Sequence, residues 1–190
     1  MNARNPAFDA MTNPVQISQI GLDTLFTTCE QLQQAGQATE ALALYQAWLA
    51  QSQDANRHMA WFNYGSLQQS TGNPAAAVDA YKECLALQPS FPQALINLGL
   101  TLEKMGKRDE ALQQLAAPLP KDFVPLAADR RGDILLAQGK KAEAKTQYEA
   151  AYKGLDERSD YRRIIEVKLN ALGVDPVVKA AVPVANEAAK

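Results

Sequence analysis

The chain has 190 residues, 47% hydrophobic and 21% charged, with a net charge of −2 at pH 7. That is long enough to bury a core and too apolar for a disordered chain, and it lacks the basic excess that a phosphate backbone requires, so nucleic acid is excluded as an expected partner. No run approaches the roughly 18 to 20 apolar residues of a membrane span, and the first twenty residues lack a secretory leader's basic cluster, apolar core and cleavage site. The chain as written is therefore expected to be soluble and cytoplasmic, with no membrane insertion.

In chain order, residues 1–13 carry two prolines and several Asn and are expected to be a flexible N-terminus, followed by one helical array over 14–173. The apolar residues of that array are mostly Ala and Leu, with few β-branched residues, which predicts an all-α fold. A period of about 34 residues runs through it. Gly65, Gly99 and Gly132 recur in step with Gly72, Gly106 and Gly139, and with Ala77, Ala111, Ala144 and Tyr81, Leu115, Tyr148. The predicted repeats are 22–57, 58–91, 92–124 and 125–158.

The first repeat keeps Gly36, Ala41 and Tyr45 but has Cys29 at the small position, as terminal repeats are commonly atypical. In the second, Gly65 and Ala77 let two helices approach while Trp61 and Tyr81 fill the space beside them. Gly72 supplies a positive φ, Asn73-Pro74 starts the next helix and Pro89 stops it. The third is cut short near Ala117 by Pro118 and Pro120. After the fourth, residues 159–173 form a predicted capping helix with an apolar stripe of Ile164, Ile165, Val167, Leu169 and Leu172. Residues 174–190, rich in Ala, Val, Pro and Lys, are expected to be a flexible tail.

The segment WFNYGSLQQSTGNPAAAVDAYKECLALQP, Trp61 to Pro89, resembles the tetratricopeptide repeat. The resemblance implies an α-α superhelix, a solenoid of about four helix-turn-helix repeats. Residues 58–115 further resemble the repeats of bacterial SPINDLY-type O-linked N-acetylglucosamine transferase relatives. Residues 112–173, with QQLAAPLPKDFVPLAADRRGDILLAQGKKAEAKTQYEAAYKGL and YRRIIEVKLNALGV, resemble the C-terminal part of the ancillary Sec translocon subunit family, which implies a periplasmic origin for that half. The change of resemblance near Asp109 to Ala116 is the pattern expected of a chimera, an engineered or spliced repeat protein.

Chemistry-bearing motifs are absent from this reading. Cys29 and Cys84 are expected to be small buried hydrophobes, and the lone His58 to be an ordinary packed or exposed residue, so no metal, cofactor or catalytic residue is predicted. Glu103 and Lys107 stand at an i,i+4 spacing that favours a surface pair. The functional expectation is a non-enzymatic protein-binding scaffold for an extended peptide or protein segment. Its concave face would be built from Phe62, Asn63, Ser66 and Gln69, then Ile96, Asn97, Leu100 and Lys104, then Asp129, Arg130 and Asp133.

Asn63 and Asn97 share a repeat position, and the transferase resemblance implies an asparagine ladder on the peptide backbone; a merely tolerated polar residue is the alternative. Arg130 at the same position would favour a carboxylate. The carboxylate clamp of chaperone-binding repeats does not fit, since Phe26 and Glu30 occupy its first pair of places and Asn97 replaces its Arg. Two other readings stay open: a structural or self-assembling array forming a homo-oligomer through its end faces, and an accessory domain of a glycosyltransferase or of a Sec-associated chaperone network.

Overall fold

A computed structural model describes Ile17 and residues 20–176 of the chain. The N-terminus expected to be flexible over 1–13 lies outside the described residues, as does residue 177 onward of the expected tail. The chain divides into two compact units between Gln114 and Leu115, a boundary inside the segment where the sequence resemblance changes. Among the described residues there are nine α-helices and no strand.

The first unit contains α1 (Leu22–Gln34), α2 (Ala38–Gln51), α3 (Arg57–Ser70), α4 (Pro74–Leu87), α5 (Pro92–Lys104) and α6 (Arg108–Leu115). The second contains a short 3-10 turn (Lys121–Phe123), α7 (Val124–Ala137), α8 (Lys141–Gly154) and α9 (Asp160–Ala171). Helix α6 ends two residues before the expected Ala117, because neither Pro118 nor Pro120 can donate to a helical ladder.

Each pair is joined by the same device. Gly72 has φ +83°, its N–H reaches Gln69 O at 3.2 Å, and Asn73 N–H reaches Gln68 O at 2.8 Å. This left-handed cap satisfies the orphan carbonyls at the end of α3 and turns the chain into α4, with Pro74 in its first turn. Gly36, Gly106, Gly139 and Gly173 repeat the positive φ. The last of these ends α9 as the first helix of each pair ends, and the chain continues through Val174 and Pro176, both buried.

Within the pairs, a tyrosine ring lies on a glycine. A Cβ added to Gly65 would stand 2.9 Å from Cε1 of Tyr81, and one on Gly132 only 2.4 Å from Cε1 of Tyr148. Trp61 is half-buried, edge-on to Tyr64 at 6.0 Å between centroids and packed against the core. In α1 the fully buried Cys29 takes the glycine's place, with Sγ 3.7 Å from Ala41 O. Cys29 and Cys84 are both free and buried, and burial pushes each thiol up to about 12.

Two surface expectations are corrected. Ile165 and Leu169 of α9 are buried, but Ile164 is 50% and Val167 67% exposed. At about 100° per residue, Ile165 and Leu169 share the covered side while Ile164 and Val167 point well away from it. Lys107 pairs with Glu110 at 3.6 Å rather than with Glu103, because α5 ends at Lys104 and Lys107 already belongs to the turn into α6.

The glycine contacts make a graded prediction. Gly132→Ala should lower stability by about 1–2 kcal/mol, since overpacking costs about 1–3 kcal/mol and helix propensity returns at most about 1. Gly65→Ala should cost less, because its added Cβ meets the ring edge at a longer distance. Urea denaturation of both variants, repeated in a Tyr148→Leu background, checks this; the extra cost of Gly132→Ala should largely vanish once the ring is gone.

Candidate functional site

In the first unit, α3 turns Tyr64, Gly65, Leu67 and Gln68 into the protein and leaves Asn63 and Ser66, three residues apart, half-exposed on one face. Helix α1 presents Phe26, Glu30 and Gln33 at spacings of four and three. These two stripes, with Tyr45 of α2 and with Leu67 and Ser70, line a cleft of about 440 Å³. Phe26 and Tyr45 are tilted neighbours, 6.5 Å between centroids. Burial raises the Tyr45 hydroxyl well above its ordinary range, Cys29 raises it further, and a hydrogen bond with Asn63 pulls the other way. The phenol stays neutral beside the Asn63 amide.

Tyr81 does the same one pair later. Its hydroxyl donates to Gln69 Oε1 at 3.0 Å, lies 3.3 Å from Ser66 Oγ and is hydrogen-bonded with Asn97. Burial is the largest cause of its raised pKa, which Ser66 and Asn97 moderate. One tyrosine thus gathers three of the residues expected on the binding face. Phe62 packs on the rings of Tyr81 at 6.0 Å and Phe91 at 5.3 Å. Leu100 is half-buried and Lys104 exposed. Ile96 is corrected: at 6% exposure this apolar side chain is covered by the protein's own core and is not offered to a partner.

In the second unit the expected face is occupied from within. Asp129, 1% exposed, receives Lys168 Nζ at 2.6 Å and the Tyr161 hydroxyl at 2.5 Å, both from α9. Asp133 receives the same ammonium at 2.7 and 2.9 Å and the Tyr148 hydroxyl at 2.8 Å. Arg130 lies 3.4 Å from Asp133 and 3.8 Å from Asp129. Its charge is therefore met by two carboxylates of its own helix, whereas the sequence pointed it at a partner's. Burial first, and then the adjacent aspartates, raise the Tyr148 and Tyr161 hydroxyls above the ordinary phenol range.

From sequence, Phe26 and Glu30 belong to this face only as residues that rule out the carboxylate clamp, and Gln33 and Tyr45 are left out of it, although the i,i+4,i+7 run from Phe26 to Gln33 is a readable stripe. Lys168 was missed too; its signal was Tyr161 and Lys168 seven apart on α9, matched by Asp129 and Asp133 four apart on α7. Among the described residues no three His, Cys, Asp or Glu side chains converge as a metal site, and His58 packs edge-on to Phe91 at 5.4 Å. No helix among them is long and apolar enough to cross a membrane.

A family model described as a tetratricopeptide repeat-like domain matches residues 26–174. The ancillary SecYEG translocon subunit of Neisseria gonorrhoeae is 36% identical over 85 residues, 44% of this chain and 41% of that protein. The chain spans about two fifths of the length of the curated relatives it matches. Among solved structures, MamA superposes with a TM-score of 0.61 at 19% identity, covering 78% of this chain and 86% of that one. The first TPR of Spaghetti (RPAP3) bound to the HSP90 peptide SRMEEVD superposes with a TM-score of 0.52 at 18% identity, covering 67% and 97%. These structural likenesses establish the helical repeat fold.

Two predictions follow the charge and burial. Lys168→Ala leaves the enclosed Asp129 with only the more distant Arg130 and should cost about 3 kcal/mol, the low end for breaking a buried pair because Lys168 is partly open to solvent. Adding Asp129→Asn should recover part of that loss, measured by urea denaturation under circular dichroism. With rising pH, stability should hold to about 9 and then fall. Between that value and about 12 the native Cys29 and Cys84 keep protons that the unfolded chain releases, so the slope is negative, up to about 1.4 kcal/mol per pH unit for each group. Denaturation midpoints across that window test the sign.

Proposed function

We propose that this chain, which belongs to the tetratricopeptide repeat-like domain family, is a non-enzymatic scaffold that holds an extended polypeptide segment. The binding face is that of α1, α3 and α5 in the first unit. The observation that carries the reading is the open cleft between α1 and α3, into which Asn63 and Ser66 project beside Phe26 and Tyr45.

An amide offers two donors and two acceptor sites. With one of these engaged by a tyrosine hydroxyl, Asn63 and Asn97 each keep spare capacity for a peptide group, whatever side chain that peptide carries. The aromatic neighbours supply apolar area for alternate side chains of the same segment. The peptide held by the Spaghetti repeat supports the reading at the level of fold. The Neisseria relative supports a setting close to protein translocation.

The test is an array of extended peptides probed with the wild type and with the Asn63→Ala, Asn97→Ala double variant. Two lost hydrogen bonds at about 1 kcal/mol each should weaken binding by tenfold or more. Equal binding by the two proteins, or no peptide retained by the wild type, overturns the proposal.

A further inference from the structure

The geometry points to a cation-accepting subsite at Glu30: the cleft of the first unit selects a segment carrying Lys or Arg and rejects an acidic one. This rests on the peptide-holding reading and names the class of segment held. Among the described residues, Glu30 is the one carboxylate lining the cleft, and no Lys, Arg or His lines it. The Tyr45 phenol at the same cleft remains neutral.

Among the described residues, the hydrogen-bond partner of the Glu30 carboxylate is the Gln34 amide at 3.3 Å, an exposed contact that leaves its charge uncompensated. The cations of this unit that could answer it are engaged elsewhere or set apart. Arg57 donates to Ser52 O at 3.2 Å and Lys107 pairs with Glu110, while Lys82, Lys104 and Arg108 do not line the cleft.

Two further features favour a cation. The half-buried Phe26 ring lines the same cleft, and a guanidinium or ammonium seated there meets both a carboxylate and aromatic π density. Residues 20–114 also carry five Lys or Arg against nine Asp or Glu, a net charge of −4, so the field around the cleft attracts positive segments. An acidic peptide tail, by contrast, would meet Glu30 without any lining cation to pair with.

The experiment uses the full chain and three capped Ser/Val nonapeptides that differ only in a central Arg, Gln or Glu, followed by fluorescence anisotropy at low salt. The wild type should bind the Arg peptide about fivefold more tightly than the Glu peptide, a preference that fades at 1 M salt. Glu30→Gln should level the three, and Glu30→Lys should invert their order. A wild type indifferent to the central residue, or a preference that survives Glu30→Gln, overturns the subsite. If the Gln peptide binds and is weakened by the Asn63→Ala, Asn97→Ala pair while charge has no effect, only this inference fails. If none of the three binds, the peptide-holding reading fails with it.

Discussion

The contact of a tyrosine ring with a glycine backbone is the constraint on which the rest of the protein depends. Tyr81 over Gly65 and Tyr148 over Gly132 sit where any Cβ on the glycine would collide with the ring. Paired helices can therefore approach closely, and the ring crosses the interface and delivers its hydroxyl to the polar side. There it holds Ser66, Gln69 and Asn97 in one case and Asp133 in the other. Where Cys29 replaces the glycine, Tyr45 still reaches Asn63. Packing and the candidate site are thus two ends of the same side chain, and a change at the glycine would be felt at the amides.

The same repeat position serves different ends in the two units. Ser66 and Asp133 are equivalent, each bonded by the tyrosine of its own pair. A hydroxyl at that place leaves the face neutral and open. A carboxylate, joined by Asp129 one turn earlier, creates a partly enclosed double negative charge that demands a cation, and α9 supplies Lys168. Removing two carboxylates from water is costly, and an ammonium shared between them, with two phenol donors, offsets it. The polar face that could greet a ligand in the first unit is consumed in the second by docking the terminal helix.

The features that were legible in the sequence are those set by local chemistry. The positive φ at Gly72 and the stop before Pro118 depend on the residue itself and its immediate neighbours, so a periodic reading finds them. Burial of Cys29 and Cys84 follows from their register. The errors arose wherever the answer depends on which helix covers which. Asp129 and Ile96 stand on the exposed side of an ideal repeat, yet each is enclosed by the protein. Ile164 and Val167 read as part of a covering stripe and remain open, because one helix can present only one side to its neighbour. Glu30 reads from sequence only as a mismatch to the carboxylate clamp because the first repeat departs from the pattern, although departures are where a ligand-specific residue is to be sought.

What such a face can discriminate follows from what holds it in place. Asn63 and Asn97 are half-exposed beside the Tyr45 and Tyr81 hydroxyls, and a partly ordered amide loses less side-chain entropy on binding than a free one. An amide can pair with a peptide group whatever side chain the peptide carries. Discrimination must then come from the residues around them, and in the first unit the variable element is charge: one unpaired carboxylate beside two aromatic rings in an acidic surround. The second unit, with eleven Lys or Arg against ten Asp or Glu over residues 115–176, has no comparable bias, and Arg130 at the corresponding repeat position is held by the aspartates of its own helix. In the proposed reading recognition is divided, the repeat's shared positions gripping a chain and the irregular first pair choosing which chain.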